Sequence, residues 1–408
     1  MTEPTPLSTT PLPASSGGVP VRERFLPIAV PCITEREKQL VLESLTSGWV
    51  TTGPRTHELA ERIAALAGAK HAVCVNSATG ALHLALEAMG IGPGDEVITS
   101  PYTFAATVNV IEHVRATPVL VDVEADTLCI DPRRVEAAIT PRTKVVLSVD
   151  YGGHPCDYDA LRAITAPRAI RIVDDAAHAL GAAYKGRPVG DASLADVTAF
   201  SFYATKNLTT GEGGAAVTDD TALAERILLL SLHGMSRDAW KRYGDTGSWF
   251  YEVVAPGWKY NLSDVLAAIG VGQLERFGES QERRLALVER YRTQLADVPE
   301  VAVPIARPDV THAWHLFPIA LGLEQLTIDR ARFITELRSE NIGTSVHFIP
   351  IHFHPHFRDS LGLTEGAFPV AENAYRRAIT LPLFPHMADR DVDDVCEAVR
   401  KIARHFRR

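Results

Sequence analysis

The stretch Ile170–Gly214, IRIVDDAAHALGAAYKGRPVGDASLADVTAFSFYATKNLTTGEGG, decides how the chain is read. One apolar run in it ends on two acidic residues, Asp174 and Asp175, and a second is followed by Lys206. Near-continuous apolar runs mark parallel strands covered on both faces. Ligands of open α/β sheets bind in the crevice beyond the carboxyl ends of such strands. A carboxylate and an amine arriving there together can grip two ends of one cofactor. Each alone has a plain explanation, the lysine as a solvated strand end and the aspartates as helix caps. Together they supply what pyridoxal phosphate requires: an amine for a Schiff base, and an aspartate that keeps the ring nitrogen protonated.

Working outward, PVLVDV (118–123) and KVVLSVDY (144–151) are further buried-strand runs. Helical stretches such as DPRRVEAAI (131–139), with Asp131 as cap and Pro132 in the first turn, lie between them. Alternating strands and helices give an α/β fold. Upstream, ITEREKQLVLESLTSG (33–48) is an amphipathic helix that stops at Gly48, and HELAERIAALAGA (57–69) supplies the next helix. HAVCVNSATGALHLALEAMG (71–90) runs from a strand through a small-residue turn into a helix. That places Asn76, Ser77, Ala78 and Thr79 at a helix N-terminus, where free N–H groups and the dipole suit an anion. A simple cap by Ser77 or Thr79 is the competing reading.

Beyond the loop that starts at His233, residues 266–295 read as one long helical stretch leading into a smaller domain. That domain mixes strand-like HAWHLFPIAL (312–321) with the helices RARFITELRSEN (330–341) and DVDDVCEAVRKIARHF (391–406). The expected division is a disordered Pro/Ser/Thr-rich tail at 1–22, a large domain at 23–270 and a small domain at 271–408. The tail lacks the apolar segment of a secretory signal.

A net charge of −9 without a dense basic stripe argues against nucleic acid as a partner. No apolar run is long enough to span a bilayer, so no membrane association is expected. Five dispersed cysteines, Cys32, Cys74, Cys129, Cys156 and Cys396, fit reduced thiols and a cytoplasmic location. In VHFIPIHFHPHF, the residues His347, His352, His354 and His356 are of zinc-ligating type. Pro350 and Pro355 interrupt that run and no thiol or carboxylate lies close by, so no metal is expected. NSATG is not GxGxxG, which sets a nicotinamide-dinucleotide dehydrogenase aside.

Taken in order, VDDAAHALGAAYKGRPVG, FSFYATKNLTTGEGG, HGMSRDAW and PGWKYNLSDVLAAIGVGQLERF resemble the DegT/DnrJ/EryC1/StrS family of pyridoxal-phosphate-dependent nucleotide-sugar aminotransferases. The likeness continues through SGWVTTGPRTHELAERIAAL, NSATGALHLAL, GIGPGDEVITSPYTFAATVN, HAWHLFPI and LPLFPHM, covering nearly everything after about Phe25. It implies the aspartate-aminotransferase-like fold type I of PLP-dependent transferases. In that fold a large domain has a mostly parallel sheet flanked by helices, and a smaller C-terminal α+β domain follows. The resemblance makes Lys206 the Schiff-base lysine and Asp175 the partner of the ring nitrogen. Phe104 would stack on the ring, His178 would lie beside it, and Ser77, Ala78, Thr79 and Ser201 would hold the phosphate.

Asn261, in the long aromatic loop, would complete the phosphate site of the other subunit, which implies a homodimer with shared active sites. Trp240, Trp249, Phe250 and Trp258 in the same loop also suit an ordinary apolar dimer contact. Tyr151, Arg237, Tyr260, His315 and His347 are the substrate-binding candidates. The implied reaction moves an amino group from L-glutamate to C-4 of a nucleotide-linked keto-deoxy sugar, as in the UDP-4-amino-4-deoxy-L-arabinose type. Amination at C-3, or of a non-sugar cyclic ketone, is the alternative. Lys206 disfavours the subgroup of dehydratases that carries histidine there. A non-catalytic regulator would have no use for Lys206, Asp175 and the phosphate turn together.

Overall fold

Seven strands form the central sheet of the chain, which the computed structural model describes over residues 12–236 and 251–408. They are β1 (His71–Val75), β2 (Glu96–Thr99), β3 (Thr117–Leu120), β4 (Thr143–Val149), β5 (Arg171–Asp175), β6 (Val197–Ser201) and β7 (Gly214–Thr218). Their order across the sheet is β1-β7-β6-β5-β4-β2-β3. Only β7 runs against its neighbours. The carboxyl ends of β1, β2, β4, β5 and β6 therefore open along one edge.

Eight helices accompany this sheet: α1 (Glu35–Ser47), α2 (Pro54–Ala67), α3 (Ala78–Ala88), α4 (Ala105–His113), α5 (Pro132–Ala138), α6 (Tyr158–Thr165), α7 (Thr221–Ser231) and α8 (Asp264–Glu275). Successive strand residues point to opposite faces, and the cores follow that alternation. Val145, Leu147 and Val173 pack with Leu82 of α3, Ile111 of α4 and Ile227 of α7. Val146 and Ile172 pack on the other face with Val135 of α5 and Leu161 of α6. Asp175 shares the parity of Val173 and Asp174 that of Ile172, so two adjacent acids leave the sheet on opposite sides. The expected caps form: Gly48 closes α1 at φ 82, and the Asp131 side chain accepts from Arg133 N–H at the start of α5.

The small domain is built on α9 (Phe277–Leu295), β8 (Phe317–Leu321), α10 (Arg330–Ser339), β9 (Ala378–Leu381) and α13 (Asp389–His405), while α11 (Pro355–Leu361) and α12 (Pro369–Arg377) bury Phe357 against Val108 of α4 and Ala371 in the core of Val135 and Leu161. β8 and β9 are antiparallel neighbours. Their side chains Phe317, Ile319, Ile379 and Leu381 join Tyr291, Phe333, Val395 and Val399 in one core.

Three expectations change here. The helical stretch 266–295 breaks at Arg276, whose backbone lies at φ −125, ψ 17. Its guanidinium donates to the Cys32 carbonyl (2.6 Å) and to the Glu37 carboxylate (3.0 Å). Burial alone would raise the Glu37 carboxyl, but hydrogen bonds from Thr34 and Arg276 bring it down to about 2. Helix α8 packs into the large-domain core and α9 into the small one. The division expected between 270 and 271 thus falls inside α8.

Second, residues 12–22 of the expected disordered tail are docked on the small domain. The N–H groups of Ala14 and Val21 donate to Glu340 (2.8 Å each). Lys401 links Glu340 (3.0 Å) to the Val19 carbonyl (2.7 Å), and Arg22 pairs with Asp391 (2.8 Å) and Asp394 (2.6 Å). Local composition signals disorder because these partners lie more than 300 residues away in sequence. Residues 1–11 of that tail lie outside the described residues. Third, the strand expected from His312 begins only at Phe317. Before it the chain turns, with Trp314 at φ 48 and its N–H donated to His312 Nδ1 (2.8 Å). No helix among the described residues is long and apolar enough to cross a membrane.

Candidate active site

The carboxyl edge of the sheet opens into a cavity of about 680 Å³. Ser77, Ala78, Thr79, Phe104, Asp175, His178, Ser201, Lys206, His315 and His347 all line it, ten of the sequence candidates. Thr103, Tyr203, Thr205 and Phe348 line it as well and were not singled out. Phe348 and Thr205 are direct neighbours of His347 and Lys206, which is the signal that would have found them.

The floor starts at the turn into α3. Ser77 caps that helix by accepting Gly80 N–H (3.0 Å). The first N–H groups of a helix have no intrahelical acceptor, which leaves those of Ala78 and Thr79 at the cavity. Strand β7 passes directly beneath: a Cβ on Gly214 would come within 2.5 Å of Ala78 N. The close approach of two backbones, possible only for glycine here, holds the N–H groups as an anion cradle.

Asp175 ends β5 on the α3–α4 face. One carboxylate oxygen accepts from the Thr107 hydroxyl (2.7 Å) and the other from Ala177 N–H (3.2 Å). Burial raises this carboxyl, against the opposing pull of those donors and of Lys206. Lys206 follows the turn after β6, where burial lowers its amine to about 8 despite the attraction of Asp175. An amine so shifted is partly neutral near physiological pH, and a neutral amine is a nucleophile and a proton acceptor.

Hydrogen bonding fixes the tautomers of two imidazoles. His178 Nδ1 accepts Gly152 N–H (3.2 Å), so its proton sits on Nε2. Asn207 spends its amide N–H groups on the Ala313 carbonyl (2.8 Å) and on Gln281 (3.2 Å), so its oxygen accepts from His315 Nδ1 (3.2 Å). His315 Nε2 is then the lone-pair nitrogen. The two rings lie 4.5 Å apart, and Phe348 stacks on His178 at 5.7 Å. Burial, with the charge of Lys206, holds His178 and His315 well below the usual imidazole range and His347 at about 4. The neutral imidazole is thus the favoured form of all three rings near pH 7.

Tyr151, Tyr260 and Asn261 do not line this cavity. Tyr151 is buried behind the wall, its hydroxyl donating to the His347 carbonyl (2.6 Å). Tyr260 packs behind α3 against His83 and Trp258, and Asn261 donates to Thr52 (2.7 Å). Each belongs to backbone that brackets the cavity, and sequence spacing does not tell a bracketing residue from a lining one. Arg237, with Trp240, Trp249 and Phe250, lies outside the described residues. The histidine run disperses: His347 faces Thr380 (2.9 Å), His352 faces Glu372 (3.0 Å) and His356 faces Glu112 (2.7 Å). The amine, the carboxylate and the anion cradle beside the ring of Phe104 fit pyridoxal phosphate.

Residues 31–400 match the family model of the DegT/DnrJ/EryC1/StrS aminotransferases. The chain is 51% identical over 384 residues to the spore coat polysaccharide biosynthesis protein SpsC of Bacillus subtilis (strain 168), covering 94% of this chain and 98% of SpsC. Among solved structures, Spr1654 of Streptococcus pneumoniae, described as a sugar aminotransferase and solved in a PMP form, has a TM-score of 0.88. It is 36% identical, covering 93% of this chain and 99% of its own. DesI, solved in the presence of its TDP-sugar product, has a TM-score of 0.86 at 34% identity, covering 96% of each chain.

Proposed function

The chain belongs to the DegT/DnrJ/EryC1/StrS aminotransferase family, and from that premise we propose that it transfers the amino group of L-glutamate to C-4 of a nucleotide-linked keto-deoxy sugar. That it is a PLP-dependent sugar aminotransferase follows from the family and its solved members. The observation that carries the proposal is the meeting of Lys206, Asp175 and the α3 N-terminus in one cavity.

When bound, the cofactor supplies the electron sink that lets the α-proton of an amino acid leave. Lys206, with its amine near neutrality, takes up that proton and returns it, the general acid–base step. Asp175, held by Thr107 and Ala177, keeps a proton on the ring nitrogen. The N–H groups of Ala78 and Thr79, with the hydroxyls of Ser77 and Ser201, hold the phosphate. Phe104 covers the ring, and His178 offers its Nε2–H beside it. His315 and His347 stand at the sugar's place, with Tyr151 steadying the His347 carbonyl. Arg237 is the remaining proposed substrate contact.

The TDP-sugar product of DesI supports a nucleotide-linked acceptor; the glutamate donor and the C-4 position rest on the family resemblance. Phe104 and Tyr203 leave 65% and 48% of their surface exposed at the cavity, which supports a second copy of the chain covering this mouth. In that homodimer Asn261 reaches the phosphate of the neighbouring site. Five unpaired cysteines support a reducing, cytoplasmic setting.

The test is to offer purified protein, L-glutamate and a panel of nucleotide-linked 4-keto and 3-keto sugars beside cyclic ketones. The proposal expects 2-oxoglutarate formed one for one with a product whose new C–N bond lies at C-4. An amine at C-3, or turnover of non-sugar ketones alone, would contradict it.

A further inference from the structure

The far face of β5 carries an acid pair that the proposed mechanism does not use. Asp150, just past β4, and Asp174 are both fully buried. The Tyr158 hydroxyl, at the start of α6, lies 2.8 Å from Asp150 Oδ2 and 2.6 Å from Asp174 Oδ2. A phenol has one proton to give, and an ionised carboxylate has none. Two ionised carboxylates would set lone pairs against the same oxygen, so one of the two acids must carry the second proton.

The donors decide which. Asp174 faces two hydroxyls, Ser148 at Oδ1 (2.7 Å) and Tyr158 at Oδ2 (2.6 Å), the short contacts of O–H groups to a charged acceptor. Asp150 receives only Cys156 N–H (2.8 Å) besides the longer contact to Tyr158. The proton therefore sits on Asp150. The chain runs from Asp150 O–H to Tyr158 oxygen and from Tyr158 O–H to the Asp174 carboxylate, which Ser148 also serves. Asp150 N–H in turn donates to the Asp175 carbonyl (3.2 Å), tying the chain to the catalytic strand end.

We infer that Asp150, Tyr158 and Asp174 hold two protons among three acidic groups, so that they carry a single negative charge behind Asp175, and that this charge raises the proton affinity of Asp175. Asp174 is the residue that carries the charge; Asp150 and Tyr158 are positioning residues that act through it. Burial drives the Asp150 carboxyl well above the ordinary range, and the Asp174 carboxyl to about 7 against the pull of Tyr158 and Ser148. The other titratable groups facing the chain are the thiols of Cys129 and Cys156 and Asp175 itself. The sign follows: above the Asp174 midpoint the pair carries one charge, and below it none, so Asp175 becomes the stronger acid as pH falls. The catalytic meaning of Asp175 rests on the proposed function, but the proton arrangement does not.

The experiment uses the cofactor-free full-length protein with ¹³C-labelled aspartate carboxyls, titrated by NMR and assigned with variants. The wild-type protein is expected to keep one neutral aspartic acid above the Asp174 midpoint, and Asp150→Asn to lose that resonance alone. Asp174→Asn is expected to lower the Asp175 midpoint by roughly one pH unit, the usual spread of protein carboxyls. Asp150→Asn leaves the charge in place and is expected to leave that midpoint unmoved. A purely structural role would disturb both variants alike. Should either variant fail to fold, Ser148→Ala removes one donor from the ionised form and is expected to raise the Asp174 midpoint. All carboxyls ionised above that midpoint, an Asp175 midpoint indifferent to Asp174→Asn, or an Asp174 midpoint indifferent to Ser148→Ala would each overturn the inference. None of these results depends on the cofactor, so the proposed function would stand or fall separately.

Discussion

The two walls of the cavity are built in different ways. On the large-domain side, Ser77–Thr79, Asp175 and Ser201 stand at the ends of strands or the start of a helix, with Lys206 on the short turn after β6. On the small-domain side, His315 and Val346–Phe348 sit on irregular backbone held by remote polar anchors. Asn207 holds both His315 and the Ala313 carbonyl, Arg284 donates to the Trp314 carbonyl (3.2 Å), and Thr380 holds His347. The first wall is fixed by the sheet and carries groups any transamination needs. The second can be altered without disturbing the sheet, and it is where a sugar would be told from its isomers. Under the proposed function, chemistry sits on the rigid wall and selectivity on the adjustable one.

That division is open to direct attack. Lys206→Ala should abolish turnover, by roughly 10⁴–10⁶-fold on the scale of losing a central catalytic group, with the far-UV circular dichroism of the folded protein unchanged; an active variant would sink the role of Lys206. Asp175→Asn should cost about 10²–10³-fold in kcat, the usual size of a lost electrostatic partner, with cofactor still taken up. Gly214→Val should drive the α3 turn off β7 at a cost of about 1–3 kcal/mol or more, read as a lower midpoint of urea unfolding together with weaker cofactor retention. His347→Ala on the other wall should raise KM for the acceptor by about 10-fold, as one lost polar contact does, while the half-reaction with glutamate proceeds within a few-fold of normal. Equal damage to both half-reactions would erase the distinction between the walls.

The smallest effect is in pH. Lys206 captures an aldehyde only as the neutral amine, and folding lowers its pKa to about 8. The rate of cofactor capture by cofactor-free protein should climb about tenfold per pH unit below that point and level off above it. A rate still climbing steeply toward the pKa of an ordinary lysine would show that the amine is not perturbed.

The rigid wall was the legible one. Near-continuous apolar runs marked β4 and β5, the Asn-Ser-Ala-Thr turn marked the start of α3, and the position of Asp175 and Lys206 at the ends of two such runs pointed to one crevice. What escaped depends on partners distant in sequence. No local pattern shows that Arg276 leaves its helix for Glu37, or that Glu340 and Lys401 hold residues 12–22. Trp314 in the left-handed region breaks a stretch whose composition reads as strand. Asp174 could be separated from Asp175 by parity, but its link through Tyr158 to Asp150 needs the fold of α6 over β5. For the small-domain wall, only the family resemblance pointed to His315 and His347, and Phe348 was passed over beside them.

The most direct test of the central claim is the visible spectrum of the purified protein with pyridoxal phosphate, before and after L-glutamate. A yellow band from the Lys206-bound cofactor is expected, and glutamate should bleach it in favour of the pyridoxamine form. A colourless protein that takes up no added cofactor would contradict it.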